Sequence, residues 1–332
     1  MDRFVSLIQA AILFGTVIMF GALGETLTEK SGNLNLGVPG IMYLGAIASL
    51  TGAFFYENAM TAVGKIPSGV LCVIIALACG IAASLLGGLI FSFLTITLRA
   101  NQNVSGLALS IFGGGVANFF GGSLNTIAGG VGQISVASTS AAFRTQIPFL
   151  ASKLGVVGKL LFSYGFMTYL AIVIAIVMHW FLEKSRAGLN LRAVGESPAT
   201  ADAAGINVIR AKYLATCIGA GISGLGGIYY VMDYIKGTWT ADASIETLGW
   251  LAVALVIFTR WKPKNAIWGA YIFGLMYWLY FYVGGLTRSS QEIFKMLPYV
   301  VTIVVLIIVS MRRRREDQPP AKLGLPYFRE DR

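Results

Sequence analysis

Nine apolar segments recur along the chain, and they limit the folds that it can adopt more than any other feature of the sequence. A helix needs about 20 mostly apolar residues to cross the hydrocarbon core of a bilayer. The segments approach or exceed that length, which predicts an all-α fold: a polytopic membrane helical bundle of about nine transmembrane helices, within a range of eight to ten. They lie near residues 4–24, 36–55, 69–97, 101–121, 160–182, 209–231, 246–260, 266–285 and 294–311.

The composition agrees with a membrane protein and excludes a water-soluble domain. Hydrophobic residues make up 56% of the chain and charged residues only 12%, and the mean hydropathy is +0.73. The formal net charge of +10 would in another setting indicate nucleic-acid binding. Here most Lys and Arg residues stand just outside apolar segments, where contact with membrane lipids and orientation in the bilayer explain them. We therefore predict no nucleic-acid partner.

The residue types that carry most enzyme chemistry do not occur in usable patterns. Cys72, Cys79 and Cys217 lie within apolar segments without a pairing motif, and the single histidine, His179, lies at a segment end. Cysteines of this kind are packing residues. There is no Walker A loop, no pair of carboxylates within a segment and no nucleophile with a base at usable spacing. We expect no catalytic residue, no bound metal and no directly bound cofactor.

The distribution of basic residues predicts the orientation of the bundle. If Arg312–Arg315 lie in the cytoplasm and the spans alternate back from them, 17 of the 25 Lys and Arg residues fall on the cytoplasmic side, as the positive-inside rule requires. The C-terminus is then cytoplasmic and the N-terminus outside. One further short or re-entrant piece within 24–43 or 122–159 would instead place the N-terminus inside. Residues 1–311 form one transmembrane domain, and the polar tail, 312–332, is expected to be disordered.

The longest polar segment between two apolar ones, residues 183–212, predicts a cytoplasmic loop that contains a helix. Ser197 can accept a hydrogen bond from a first-turn amide, Pro198 suits the first helical position, and Gly205 can adopt a left-handed cap conformation. We therefore expect a helix from Pro198 to Ala204. The alternative is an ordinary solvated connection. A capped helix between basic flanks has more order than a connection needs, which favours a docking site for a soluble partner.

Two stretches interrupt the helical pattern. Between Gly24 and Gly40, the residues Asn33, Asn35 and Pro39 lead into the second apolar segment and predict that it is broken or re-entrant. Such backbone is tolerated at membrane depth only where it is buried in protein or lines a water-filled cavity. The other stretch, residues 121–159, is rich in Gly and Ser and long for a connection.

The acidic residues favour transport that is driven by another subunit. A proton- or sodium-coupled transporter usually needs an ionisable group deep in a span. The acids closest to the apolar segments all lie near predicted segment ends, and they are Glu25, Glu57, Asp233, Asp242, Glu246 and Glu292. A primary transporter with its ATPase on a separate subunit fits this pattern. One alternative is a self-sufficient secondary transporter or channel for a small neutral polar solute, and another is a membrane scaffold without a transport function.

Neutral polar and aromatic side chains are the candidates for a substrate path. Amide and hydroxyl groups with few charges suit a neutral polyhydroxylated or heterocyclic substrate, and aromatic faces can stack on a flat ligand. The alternatives are hydrogen bonds between helices for the polar groups and an interfacial belt for the aromatic ones. We place the path where the broken segment, the start of the fourth segment and the aromatic face of the eighth meet. Its predicted residues are Asn33, Asn35, Asn101, Asn103, Ser105, Asn118, Tyr271 and Trp278.

Five stretches of the chain resemble a known family of membrane proteins. The most specific are GLNLRAVGESPATADAAGI at 188–206 and GWLAVALVIFTRWKP at 249–263. The others are SGNLNLGVPGIMYLGA at 31–46, ANQNVSGLAL at 100–109 and SGLGGIYY at 223–230. Together they resemble the permease subunits of bacterial ABC importers. Within these, the chain is similar to the ribose and branched-chain amino acid permease superfamily, and most similar to its nucleoside and simple-sugar branch.

This resemblance implies ATP-driven uptake by alternating access across a bacterial cytoplasmic membrane, with nucleosides ahead of simple sugars as substrates and branched-chain amino acids as a further alternative. It implies three kinds of partner: an ABC ATP-binding subunit that uses the ATP, a second and paralogous permease subunit, and an extracytoplasmic substrate-binding lipoprotein. The helix at 198–204 resembles the coupling helix of the family, which contacts the ATPase. The predicted coupling residues are Arg192, Glu196, Ser197, Pro198, Ala199, Asp202, Ala203 and Gly205.

Overall fold

Helices make up most of the computed structural model, which describes residues 2–127, 134–146, 155–239, 243–283, 287–312 and 318–329. The described residues contain no β-strand, apart from one isolated bridge between Ser135 and Thr238. The prediction of an all-α bundle is therefore confirmed. In chain order the helices are α1 (Asp2–Lys30), α2 (Val38–Ala62), α3 (Gly69–Ser92), α4 (Gln102–Ile127), α5 (Ala137–Phe143), α6 (Gly155–Phe162), α7 (Phe166–Lys184), α8 (Arg186–Glu196), α9 (Pro198–Ala203), α10 (Val208–Tyr229), α11 (Ser244–Phe258), α12 (Pro263–Tyr282) and α13 (Arg288–Arg312).

Seven helical segments among the described residues are long and apolar enough to cross a membrane, and they include α1, α2, α4, α7 and most of α13. The other two are α3 and α10 with the π-helical turns that extend them, Phe93–Thr97 and Tyr230–Tyr234. Two further predicted segments correspond to α11, a shorter apolar helix, and to α12. The Tyr, Trp, Lys and Asn residues of α12 lower its hydropathy. All nine predicted apolar segments thus coincide with helices.

Three details differ from the predicted pattern. α1 continues without interruption to Lys30, so the break predicted from Gly24 to Gly40 is confined to residues 31–37. The predicted segment 160–182 is divided between α6 and α7. The polar loop contains α8 in addition to the predicted short helix. The first and third differences add helix, because polar residues extend helices beyond the apolar core, whereas the second is an interruption of the helix at residues 163–165.

The centre of the bundle consists of α1, α2, α10 and α11. α1 packs against α10, α11 and α12, and α2 packs against α3, α4 and α10. Small residues permit the closest approaches: a Cβ at Gly113 of α4 would overlap the backbone of Gly40 in α2. The outer helices α3, α4 and α13 instead expose large apolar side chains such as Leu86, Phe112 and Ile303, as helices in contact with lipid do.

Contacts between distant segments bring most of the basic loops to one end of the bundle, which we call the basic end. The Lys322 N–H donates a hydrogen bond to the Gly195 carbonyl (3.2 Å), and the Trp261 indole N–H donates to the Glu29 carboxylate. Gly195 also lies against the Lys30 carbonyl, so these contacts join the end of α1, the polar loop, the turn after α11 and the tail into one unit. It comprises Lys30 and residues 186–212, 260–264 and 318–329.

The opposite end is held by contacts of its own. The Glu57 carboxylate accepts hydrogen bonds from the Thr139 N–H and hydroxyl, both at 2.6 Å, and the bridge between Ser135 and Thr238 joins two further connections. Successive long helices run alternately between the two ends, with α1 ending and α2 beginning at the basic end. This agrees with the alternation assumed for the spans. Which end faces the cytoplasm stays a prediction from the charge distribution.

Candidate functional site

The break between α1 and α2, residues 31–37, is buried, and side chains of other helices bind its backbone. The Leu34 N–H donates to Gln102 Oε1 of α4 (2.7 Å), and the Asn35 N–H donates to Glu25 Oε1 of α1 (2.9 Å). A buried backbone group without a partner is costly. These two contacts therefore explain how an irregular backbone is tolerated inside a helical bundle.

Asn33 and Asn35 bind neighbouring parts of the fold. Asn33 Nδ2 donates to the hydroxyls of Thr95 in the α3 extension (3.3 Å) and Thr216 in α10 (3.1 Å). Asn35 Oδ1 accepts from the Gly37 N–H (2.9 Å), immediately before α2. Both residues are at most 1% exposed. These hydrogen bonds hold parts of the fold together. They agree with the structural role that the sequence left open as the alternative to lining a substrate path.

The start of α4 meets the break as predicted, but through a different residue. Gln102 makes the contact, and the predicted set omitted it although it lies in the same polar run. Asn101 and Asn103 are exposed, and Asn101 Oδ1 accepts from the Val104 N–H (3.1 Å) in the first turn of α4. Ser105 is 8% exposed. Of these predicted residues, Ser105 alone is buried near the break.

A buried pair of carboxylates on α1 is also missing from the predicted site. Glu25 and Glu29 are 1% and 3% exposed, one helical turn apart. Arg260 and Trp261 both adopt left-handed backbone conformations, with φ of 58° and 53°, and this tight turn brings the Trp261 indole to Glu29. Glu25 does not lie at the end of a span as predicted, because α1 continues to Lys30. The four-residue spacing of the two acids on one helix face was the available signal.

Two cavities flank the first turn of α11. The first, the polar cavity, has a volume of about 410 Å³, and its walls include Tyr43, Ser110, Asn118 and Glu246. The second, the aromatic cavity, has a volume of about 360 Å³. Ala243 lines both, so they lie on two sides of the same turn. Pockets for small ligands have volumes of about 300 to 1,000 Å³, and these two are at the lower end of that range.

The aromatic cavity contains part of the predicted stacking surface. Trp278 lines it together with Phe14 and Tyr277, whose rings stack at a centroid distance of 4.2 Å. Tyr271, which the sequence predicts to act with Trp278, packs against α1 instead. Of the eight predicted path residues, only Asn118 and Trp278 line these two cavities.

The loop at the basic end contains the short helix α9. Pro198 occupies its first position, and Gly205 follows it with a left-handed φ of 84°, both as predicted. Ser197 does not accept a hydrogen bond from a first-turn amide, because its hydroxyl lies 2.8 Å from the Thr200 hydroxyl and bonds to it. α9 ends at Ala203, one residue earlier than predicted.

α9 has one face packed on the loop and one exposed. Pro198 and Ala201 are buried, and Ala201 forms an apolar cluster with Val194 of α8 and Val208 of α10. Ala203 is exposed. The other coupling residues predicted on α8 and α9 are partly buried, and they are Arg192, Glu196, Ser197, Ala199 and Asp202. The helix is thus attached to α10 on one side and accessible on the other.

The C-terminal tail lies on this loop. The Tyr327 hydroxyl donates to the Asp202 carboxylate (3.0 Å), and Arg329 forms an ion pair with the same carboxylate (3.1 Å). The sequence predicts disorder for the tail, whereas residues 318–329 make specific contacts in the structure. The composition of the tail does not indicate these contacts, because the groups that the tail binds belong to a loop more than 100 residues away in the sequence.

The described residues offer binding groups but few reactive ones. No three His, Cys, Asp or Glu side chains in this part of the chain lie close enough together to hold a metal ion. Cys72, Cys79 and Cys217 are free thiols. The arrangement suits the binding and passage of a small neutral molecule.

Comparison with known proteins agrees with this description. The family profile described as branched-chain amino acid transport system / permease component matches residues 7–306. A putative glucose ABC transporter permease protein of Haloferax volcanii is 34% identical over 270 residues, which cover 81% of this chain and 75% of that protein. No solved structure matches the chain.

Two further relatives cover most of both chains. A guanosine ABC transporter permease protein of Bacillus subtilis is 30% identical over 306 residues, which cover 90% of this chain and 89% of the relative. A nucleoside ABC transporter permease protein of Lactococcus lactis subsp. cremoris is 32% identical over 305 residues, with 88% of each chain covered.

Proposed function

Because the chain belongs to the family of branched-chain amino acid transport system permease components, we propose that it carries nucleosides across the membrane, with simple sugars as the second substrate class. The chain is a multi-pass membrane subunit of an ABC transporter. Two of the relatives are named as nucleoside or guanosine permeases and one as a putative glucose permease. A nucleoside contains both a sugar and a flat base, which suits a polar cavity beside an aromatic one.

The proposed transport mechanism depends on the attachment of α9 to α10. The Ala201–Val194–Val208 cluster connects the exposed helix to the first turn of α10. α10 continues across the bundle to Tyr230 and Tyr234, which line the aromatic cavity. A displacement of α9 by an ATPase subunit would therefore move one wall of this cavity. This is the kind of rigid-body coupling that alternating access requires.

The break transmits the same motion to other helices. Asn33 bonds to Thr216 of α10, and Leu34 and Asn35 bond to α4 and α1 through Gln102 and Glu25. A movement of α10 thus acts on a buried connection to two other helices. The break positions helices, and the substrate binds in the two cavities flanking α11.

The ATPase subunit docks on the exposed face of α9. An Ala203→Glu variant places a bulky charge on this face without touching the apolar cluster. We expect it to abolish ATP-driven nucleoside uptake and to reduce co-purification of the ATPase. Lys264→Glu is the matched control, because Lys264 is exposed at the same end but lies on α12. Normal uptake and ATPase co-purification by the Ala203→Glu variant would refute the docking role of α9.

We propose a paralogous permease as the second membrane subunit and a substrate-binding lipoprotein at the end opposite α9. Co-purification of the tagged chain from its native membrane, followed by mass spectrometry, tests both. Recovery of two copies of this chain and no other permease would contradict the paralogous pair.

A secondary transporter is the second candidate, and the buried Glu25 and Glu29 favour it because ion-coupled transporters need such groups. Their hydrogen bonds to the Asn35 N–H and the Trp261 indole give them a structural role instead. Liposomes that contain the purified chain alone distinguish the two functions. Uptake driven by a proton or sodium gradient, without any ATPase, would establish the secondary transporter.

A further inference from the structure

A third cavity, separate from the two beside α11, lies at the basic end. It is enclosed by the end of α3, the start of α10 and the C-terminal tail, and we call it the tail cavity. Its volume is about 440 Å³, and its charged wall residues are Arg99, Lys212, Arg329 and Asp202. The cavity therefore carries an excess of positive charge.

Lys212 is the unusual group in this wall. It is only 3% exposed, and in the part of the chain that the structure describes its ammonium group has no hydrogen bond or ion pair. The ammonium keeps some access to the space of the cavity, and a cation that is largely shielded from water is stabilised by a nearby negative charge. The one carboxylate nearby, Asp202, is engaged by Arg329 and Tyr327. A negatively charged ligand would supply the missing partner.

Two further features of the wall suit an anion. Arg99 has a left-handed φ of 56°, and its guanidinium lies 4.6 Å from the centre of the Phe328 ring, so it is held between α3 and the tail. The 22-residue helix α10 begins at the cavity with Asn207 and Val208 in the wall. Asn207 Oδ1 accepts from the Arg210 N–H (2.9 Å). The other N–H groups of a first helical turn have no intrahelical partner, and this end of the helix carries a partial positive charge.

Apolar surface adjoins the mouth of the cavity. Ile209 is a wall residue and is 56% exposed. Leu98, the neighbour of the wall residues Thr97 and Arg99, is 57% exposed, and Phe93 of the α3 extension is 50% exposed one turn further along. A phosphate group in the cavity could therefore continue into acyl chains that lie along these helices.

We propose that the tail cavity binds the phosphate group of an anionic lipid, with Lys212 and Arg99 as its main ligands, and that this lipid stabilises the tail on the α8–α9 loop. A free phosphate or a nucleotide shares the same chemistry, and the apolar mouth favours the lipid. The site is independent of the transported substrate, so its test does not depend on the proposed transport function.

The test uses the purified full-length chain in detergent and native mass spectrometry. Phosphatidylglycerol and phosphatidylcholine with identical acyl chains are added separately, and inorganic phosphate and ATP are added as soluble competitors. We expect selective retention of phosphatidylglycerol. Loss of one charged ligand should weaken this retention about tenfold in Lys212→Met and in Arg99→Gln.

Controls separate binding from folding. Lys264→Met removes a charge at the same end outside the cavity, and it should retain the lipid within about twofold of the unmodified chain. Lys212→Arg keeps the charge and should restore most of the retention. Gel filtration identifies variants that do not fold. Arg99 is exposed and lies between the α3 extension and α4, so Arg99→Gln provides an independent measurement if Lys212→Met does not fold.

The outcomes are distinct. Lipid retention that falls in both cavity variants and not in Lys264→Met supports the lipid site. Stabilisation by inorganic phosphate or ATP with the same dependence on Lys212 and Arg99, without lipid selectivity, supports a phosphate site with a soluble ligand and overturns the lipid assignment. If neither probe distinguishes the cavity variants from the unmodified chain, the cavity is not an anion site.

Discussion

Asn35 and Asn103 show how residues of one type and similar sequence context acquire different roles. Asn35 is 1% exposed, and its side chain accepts a hydrogen bond from the Gly37 N–H at the start of α2. Asn103 lies on the exposed side of the first turn of α4. The sequence predicts a substrate-path role for both. The structure indicates that Asn35 is needed for the fold and that Asn103 is not.

The Asn35→Leu substitution should destabilise the protein. It leaves the buried Gly37 N–H without its acceptor, which costs about 1 to 3 kcal/mol. Asn103→Leu is the matched control and should leave stability unchanged. Thermal unfolding of the purified variants, followed by tryptophan fluorescence, measures the difference. Equal midpoints for Asn35→Leu and the unmodified chain would show that the break does not depend on this side chain.

Asn118 and Trp278 are the two predicted path residues that line the cavities, and their substitution should reduce uptake. Trp278→Ala removes a stacking surface, and we expect uptake of a nucleoside to fall about threefold to tenfold. Uptake of a simple sugar should fall less, because a sugar has no flat base. Asn118→Leu should reduce uptake of both.

The controls for this pair are on the same helices. Phe281→Ala removes an exposed aromatic ring of α12, and Asn103→Leu removes an exposed amide of α4. Radiolabelled uptake in cells, normalised to the amount of assembled transporter, is the measurement. Unchanged nucleoside uptake in both cavity variants would place the substrate path elsewhere.

At the scale of elements, α9 is too short to be stable by itself, since isolated helices of fewer than about 12 residues are marginal in water. Its position depends on the Ala201–Val194–Val208 cluster and on the tail that bonds to Asp202. α9 and the C-terminal tail therefore form one structural unit at the basic end.

The two tail contacts to Asp202 should contribute unequally. Arg329 is 73% exposed at its side chain, and exposed ion pairs contribute about 0 to 1 kcal/mol. Tyr327 is partly buried, so its hydroxyl hydrogen bond to the Asp202 carboxylate is better shielded from water. We expect faster amide hydrogen exchange in α9 for Tyr327→Phe than for Arg329→Gln. The reverse order would show that charge, and not the tyrosine hydroxyl, holds the tail.

For the whole molecule, the long helices run alternately between two ends, and this alternation places most of the basic loops at the same end. Lys30, the α8–α9 loop and the Arg260–Lys264 turn come from distant parts of the chain and meet at one end. The positive-inside rule assigns this end to the cytoplasm.

The orientation can be tested by cysteine labelling. In a background without Cys72, Cys79 and Cys217, a cysteine in place of Arg144 should react with an impermeant reagent added outside intact cells. A cysteine in place of Arg210 should react only after the membrane is opened. Both positions are exposed in the structure. The reverse labelling pattern would invert the assigned orientation.

The helices and the basic end could be predicted from the sequence because the signals are local. The length and apolarity of each segment determine whether it can span a bilayer, and the charges beside it determine the side on which they lie. Pro198 likewise marked the start of α9 correctly and Gly205 its end to within one residue, since their backbone preferences act at their own positions.

Burial and partners could not be predicted in this way. Asn33 and Thr216 are 183 residues apart, and Leu34 and Gln102 are 68 apart, so no local pattern connects them. The contact between the C-terminal tail and Asp202 also joins distant residues. Composition alone predicts that this tail is disordered. The sequence by itself determined an all-α membrane bundle with a basic end and a capped loop helix. Only the tertiary structure decided which polar groups support the helix break and which line cavities, because their surroundings come from several distant helices.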